Sequence, residues 1–138
     1  MIPSRACLLL TQDTVLRSSA YLVLGEGVWT VGSAMSIPVA ESWLDSAQPD
    51  VFIADLAVPG VRDLLESTSQ LAPTCSVLII ARPEQVEMAQ EWTGSLVRSY
   101  LARPIDPEAL RLALDDVFTL PQPVRTDVRL VGERARRI

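Results

Sequence analysis

The chain has 138 residues, 49 % of them apolar and 21 % charged, with a formal net charge of −5. That length holds one domain with a real core, and the apolar share excludes a chain disordered throughout. Histidine and lysine are absent, which excludes histidine-based nucleophile and zinc chemistry and the Gly-Lys pair of a P-loop.

Short β-branched or leucine-rich runs alternate with segments of helical period, the pattern of a parallel sheet covered on both faces. The first strand is expected at 6–10, followed by a helix over 14–24 with Leu16, Ala20 and Val23 on one face. The second strand is expected at 28–32, preceded by the turn Gly25-Glu26-Gly27. A helix over 38–47 follows, with Pro38 in its first turn and Val39, Trp43 and Ala47 in line. The third strand, 51–54, leads into a helix over 61–71 carrying Val61, Leu64, Leu65 and Leu71. The fourth strand, 76–80, is followed by a weaker, polar helix at 83–92. A short fifth strand, 99–102, precedes a helix over 106–118 with Asp106 as N-cap, Pro107 in the first turn, and Leu110, Ala113, Leu114 and Val117 as its apolar stripe.

Five strands and five helices in strict alternation predict an α/β domain, a (βα)5 doubly wound, flavodoxin-like sheet over residues 1–119. Residues 120–138 are expected as a proline- and arginine-bearing tail. Ligands of such folds lie beyond the carboxyl ends of the strands, which places any chemistry among Thr11, Gln12, Asp13, Asp55, Ala81 and Arg103.

Three stretches carry a resemblance. Pro49-Asp50-Val51-Phe52-Ile53-Ala54-Asp55 runs into a Pro59-Gly60 turn, Ser99-Tyr100-Leu101-Ala102-Arg103-Pro104 forms a second block, and Leu8-Leu9-Leu10-Thr11-Gln12-Asp13 with Arg17 a third. In order and spacing they resemble the receiver domain of two-component response regulators over residues 5–118. The resemblance implies strand order 2-1-3-4-5 and makes Asp55 the candidate phosphoacceptor. It also implies a Mg²⁺ held by two acids after the first strand, yet Thr11 and Gln12 stand there. A unit charge about 4 Å from another is worth roughly 4 kcal/mol at an effective dielectric near 20, so any Mg²⁺ is expected to bind weakly, with Asp13 and Asp55 as its remaining candidates. The family's Thr or Ser after the fourth strand aligns with Ala81, which can donate nothing. Its lysine aligns with Arg103, before Pro104, and its switching aromatic with Tyr100, read here as a fixed surface contact.

Two readings stay open at each acid. Asp13 is either a substitute metal ligand or the N-cap of the helix beginning at Thr14. Asp55 is either phosphorylated or a structural acid paired with Arg103 or with loop amides. The expected function is a degenerate receiver, a pseudo-receiver acting by protein–protein interaction in bacterial signalling and not as an enzyme. Its rivals are a working receiver with an atypical metal site and a flavodoxin-like small-ligand domain. The resemblance implies a partner or a second copy on the surface of the fourth helix, fifth strand and fifth helix, near Arg98, Tyr100, Arg103 and Ala109.

Charge is unevenly spread. Residues 1–118 hold 7 Arg against 15 Asp and Glu, whereas 119–138 hold 5 Arg against 2. The acidic body is a poor nucleic-acid ligand; the tail is either a docking or nucleic-acid-contacting segment or a solvated linker. All 12 basic residues are arginine and asparagine is absent, a bias that suggests a GC-rich bacterial genome. No apolar run reaches the roughly 20 residues of a membrane span, and residues 6–10 turn polar too soon for a secretory signal, so the cytoplasm is the expected location. Cys7 and Cys75 are expected as free thiols. Trp29, Trp43 and Trp92 are expected in the core or at its rim.

Overall fold

The structure is a computed structural model and describes residues 5–25, 29–72, 74–92 and 97–119. The tail, Glu26 to Val28, and the side chains of Trp92, Arg98, Val117 and Phe118 lie outside what is described. The elements run β1 (Arg5–Leu10), α1 (Thr14–Leu24), β2 (Trp29–Ala34), α2 (Ile37–Ala47), β3 (Val51–Asp55) and α3 (Val61–Leu71). They continue with β4 (Ser76–Ala81), a 3-10 turn (Pro83–Gln85), α4 (Val86–Trp92), β5 (Val97–Ala102) and α5 (Pro107–Thr119). All strand pairings are parallel, in the order β2-β1-β3-β4-β5. This is the doubly wound sheet that the alternation predicts.

Side-chain alternation along the three central strands builds two cores. Leu8 and Leu10 of β1, Phe52 and Ala54 of β3, and Val77, Ile79 and Ala81 of β4 face α2, α3 and α4. Cys7 and Leu9, Val51 and Ile53, and Leu78 and Ile80 face α1 and α5. Such strands read as unbroken apolar runs because both faces are covered. Cys7 of β1 and Cys75, which directly precedes β4, therefore belong to opposite cores, and neither is in a disulfide. Burial pushes the Cys7 thiol far above its ordinary range, with Cys75 adding to the effect, so it stays protonated and unreactive.

Several boundaries depart from the expectation. β2 runs on to Ala34 and β5 begins at Val97, because residues flanking the apolar runs still pair in the ladders. The segment after β4 opens as a 3-10 turn, and only Val86–Trp92 is α-helical. Trp43 closes over Gly32: a Cβ built there would lie 2.0 Å from the indole Cζ2, so only glycine admits the ring. Gly60 caps α3 at φ 86°, the left-handed region that glycine enters without steric cost. No described helix is long and apolar enough to cross a membrane.

Candidate functional site

The sheet order reverses between β1 and β3, and the carboxyl ends of those two strands deliver Thr11 and Asp55 to one place. Asp55 ends β3 and is 2 % exposed, and Thr11 is fully buried. The backbone holds both firmly, with Thr11 N donating to Ala34 O at 3.1 Å and Leu56 N to Ile80 O at 2.9 Å. Between these neighbouring strand ends, Thr11 Oγ1 donates to Asp55 Oδ2 at 2.6 Å.

Arg103 reaches the same carboxylate from the far side. Its amide donates to Ala81 O at 2.8 Å, and the Arg103–Pro104 peptide is cis. Nη2 lies 2.5 Å from Asp55 Oδ2, and Nη1 lies 2.5 Å from Asp13 Oδ2. One guanidinium thus spans two carboxylates, with a separate terminal nitrogen of its planar fork on each.

Every oxygen of the two acids has a donor. Asp55 Oδ2 accepts from both Thr11 and Arg103, and Oδ1 accepts from the Ala57 amide at 2.9 Å. Asp13 Oδ1 accepts from the amides of Val15 and Leu16 at 2.9 and 3.3 Å, capping α1, while Oδ2 holds Arg103. The Arg103 hydrogen bond, followed by the Leu16 amide, holds the Asp13 carboxyl below its ordinary pKa against an opposing effect of burial, with a lesser contribution from the Val15 amide.

The remaining site positions fall around this clasp. Gln12 turns its amide onto Met35 O at 3.0 Å. Ala81 is buried and presents only a methyl. Tyr100 is half-buried, its ring packed against the core, and its hydroxyl accepts from Gln90 Nε2 at 2.8 Å. Ala109 is half-buried on α5, and Pro104 is exposed beside the clasp. An open cleft of about 350 Å³ lies over Asp55, lined by Gln12, Asp13, Ala57, Val58, Arg82 and Arg103 as well. Arg82, at its mouth, was not singled out in the sequence; it pairs loosely with Glu84 at 3.5 Å. The double use of Asp13 was also invisible, because its partner Arg103 is 90 residues away in the chain.

No family model matches the chain. It is 30 % identical over 104 residues to the alginate biosynthesis transcriptional regulatory protein AlgB of Pseudomonas aeruginosa, which covers 74 % of this chain and 23 % of that protein. The chain therefore spans about a quarter of the length of this curated relative. In structure it is similar to a signal receiver domain ascribed to a Luxo repressor protein of Vibrio parahaemolyticus. The TM-score is 0.76 at 18 % identity, covering 85 % of this chain and 92 % of that one. A response-regulator signal receiver domain from Bermanella marisrubri gives 0.72 at 24 % identity, covering 84 % and 99 %. A structure described as a streptococcal redox sensor evolved from two-component response regulators gives 0.74 at 19 %, covering 84 % and 52 %. With its five parallel strands in the order 2-1-3-4-5 and an aspartate closing β3, the chain carries the receiver fold of two-component response regulators.

Proposed function

We propose that this domain works without phosphorylation, as a protein-binding module in the cytoplasm of a bacterium, within signalling of the two-component kind. The observation that carries this reading is the state of Asp55. Phosphoryl transfer onto a carboxylate needs an open oxygen lone pair and a cation to neutralise the incoming charge. Three of the four lone pairs of the carboxylate are engaged, both on Oδ2 by Thr11 and Arg103 and one on Oδ1 by the Ala57 amide, and the guanidinium beside it is already shared with Asp13. The position that would sense a phosphoryl group is the Ala81 methyl, which has no hydrogen to donate.

The same bonds suit a fixed binding surface. Arg103 ties the β1–α1 loop, the end of β3 and the β5–α5 loop into one unit. Tyr100 is held between the core and Gln90. The face of α4, β5 and α5 is then presented in one state, ready for a protein partner or a second copy. With its acids all held by donors, the cleft is assigned no catalytic role and no resident cofactor.

Incubation with acetyl phosphate and Mg²⁺, followed by intact-mass measurement, tests the proposal. The wild type and Asp55→Asn are expected to give the same unmodified mass. A phosphoryl adduct on the wild type, absent from Asp55→Asn, would overturn it in favour of a working receiver.

A further inference from the structure

The receiver fold implies a divalent cation beside the acceptor carboxylate, and this cleft does not fit one. A hard cation takes several oxygen ligands with open lone pairs, normally carboxylates and waters. Thr11 and Gln12 are neutral. The Thr11 hydroxyl donates to Asp55 and accepts from the Asp13 amide at 3.0 Å, and the Gln12 amide is turned onto Met35 O. Among the described residues, no group of three or more His, Cys, Asp or Glu is placed to hold a metal ion.

We propose that Arg103 is itself the cation of this site: its guanidinium neutralises Asp13 and Asp55 from within the chain and excludes a divalent ion. Three observations converge on it. The two terminal nitrogens are divided one to each carboxylate, at 2.5 Å on both sides, so the positive charge lies between the acids. The arm is anchored at its base, because the Arg103 amide is bonded to Ala81 O in the neighbouring strand. A tethered group competes with a dissolved ion at a high effective concentration. The charge left over from two carboxylates and one guanidinium is eased on Asp13, whose other oxygen takes the positive N-terminus of α1 through Val15 and Leu16.

Arginine stays charged at every pH a cell reaches, so this cation, unlike a bound ion, does not come and go. The clasp is a permanent link between the β1–α1 loop, the end of β3 and the β5–α5 loop. For its functional meaning, this inference rests on the phosphorylation-independent reading above.

The test is thermal unfolding of the full chain in EDTA and in millimolar MgCl2, with no phosphoryl donor present. The wild-type midpoint is expected to be the same in both. Arg103→Ala, and Arg103→Gln as a variant that keeps part of the stem, are expected to melt lower in EDTA and to rise by about 3 °C or more in MgCl2. Adding Asp55→Asn to either variant is expected to abolish that rise. A wild type that MgCl2 stabilises as much as the variants overturns the proposal, and so does insensitivity of both variants. Should neither variant fold in either buffer, the wild-type comparison still decides. Failure here is separable from failure of the functional reading, which the mass measurement decides.

Discussion

Asp13 divides its two oxygens between local and long-range structure, one capping α1 and the other holding Arg103. Its pKa is lowered from 3.8, first by the Arg103 hydrogen bond and then by the capping amides. A carboxylate with a depressed folded pKa contributes stability that is fully present above its unfolded value and is lost as pH falls through the folded one. The side chain is 34 % exposed, so solvent screening limits the effect to about 1 kcal/mol. Asparagine keeps the cap and loses the ion pair. Asp13→Asn is therefore expected to unfold at lower urea than the wild type at neutral pH, with the gap closing below about pH 4. A gap still undiminished near pH 3 would contradict this role. At this scale the sequence was half legible. An acid directly before a helix reads as a cap from local spacing, and Asp55 and Arg103 read as partners by family position. That Arg103 also holds Asp13, and that the Thr11 hydroxyl completes the clasp, follow only from the closeness of the β1, β3 and β5 ends.

The elements themselves were more legible than their ends. Cores on both sheet faces make β1, β3 and β4 continuous apolar runs, which sequence periodicity detects directly. Ends depend on single contacts, and Gln48 is one that sequence did not reveal. It closes α2 at φ 49°, and its Nε2 donates to Leu44 O, Asp45 O and Leu71 O at 3.0, 2.9 and 2.7 Å. The side chain ties the carboxyl ends of α2 and α3 together, at the cost of a left-handed backbone of about 1 kcal/mol. Gln48→Ala loses the bonds and keeps the strain; Gln48→Gly loses the bonds and relieves it. Urea unfolding is expected to rank wild type above Ala, with Gly about 1 kcal/mol more stable than Ala. Equal stability of the two variants would show that the backbone there is not strained. Gly32 makes the complementary point: its need for no Cβ comes from Trp43 on another element, so nothing local in the sequence announces it.

Over the whole molecule, the receiver fold is combined with a carboxyl edge whose residues differ from those the resemblance implies. The apolar strands and the Pro59-Gly60 turn after β3 preserve the frame. By the resemblance read from the sequence, Thr11 and Gln12 align with acids, Ala81 with a hydroxyl and Arg103 with a lysine. The sequence made each difference visible, and the structure adds that Thr11 and Arg103, with Asp13, form one clasp over Asp55. The claim that this site no longer responds to phosphorylation is tested most directly by amide NMR of the full chain, titrated with Mg²⁺ and then with beryllofluoride, which mimics an aspartyl phosphate. The account predicts amide positions unchanged at Thr11 to Asp13, Asp55, Ala81 and Tyr100 throughout. Shifts spreading from Asp55 to Ala81 and Tyr100, and lost in Asp55→Asn, would contradict it and restore a phosphorylation switch.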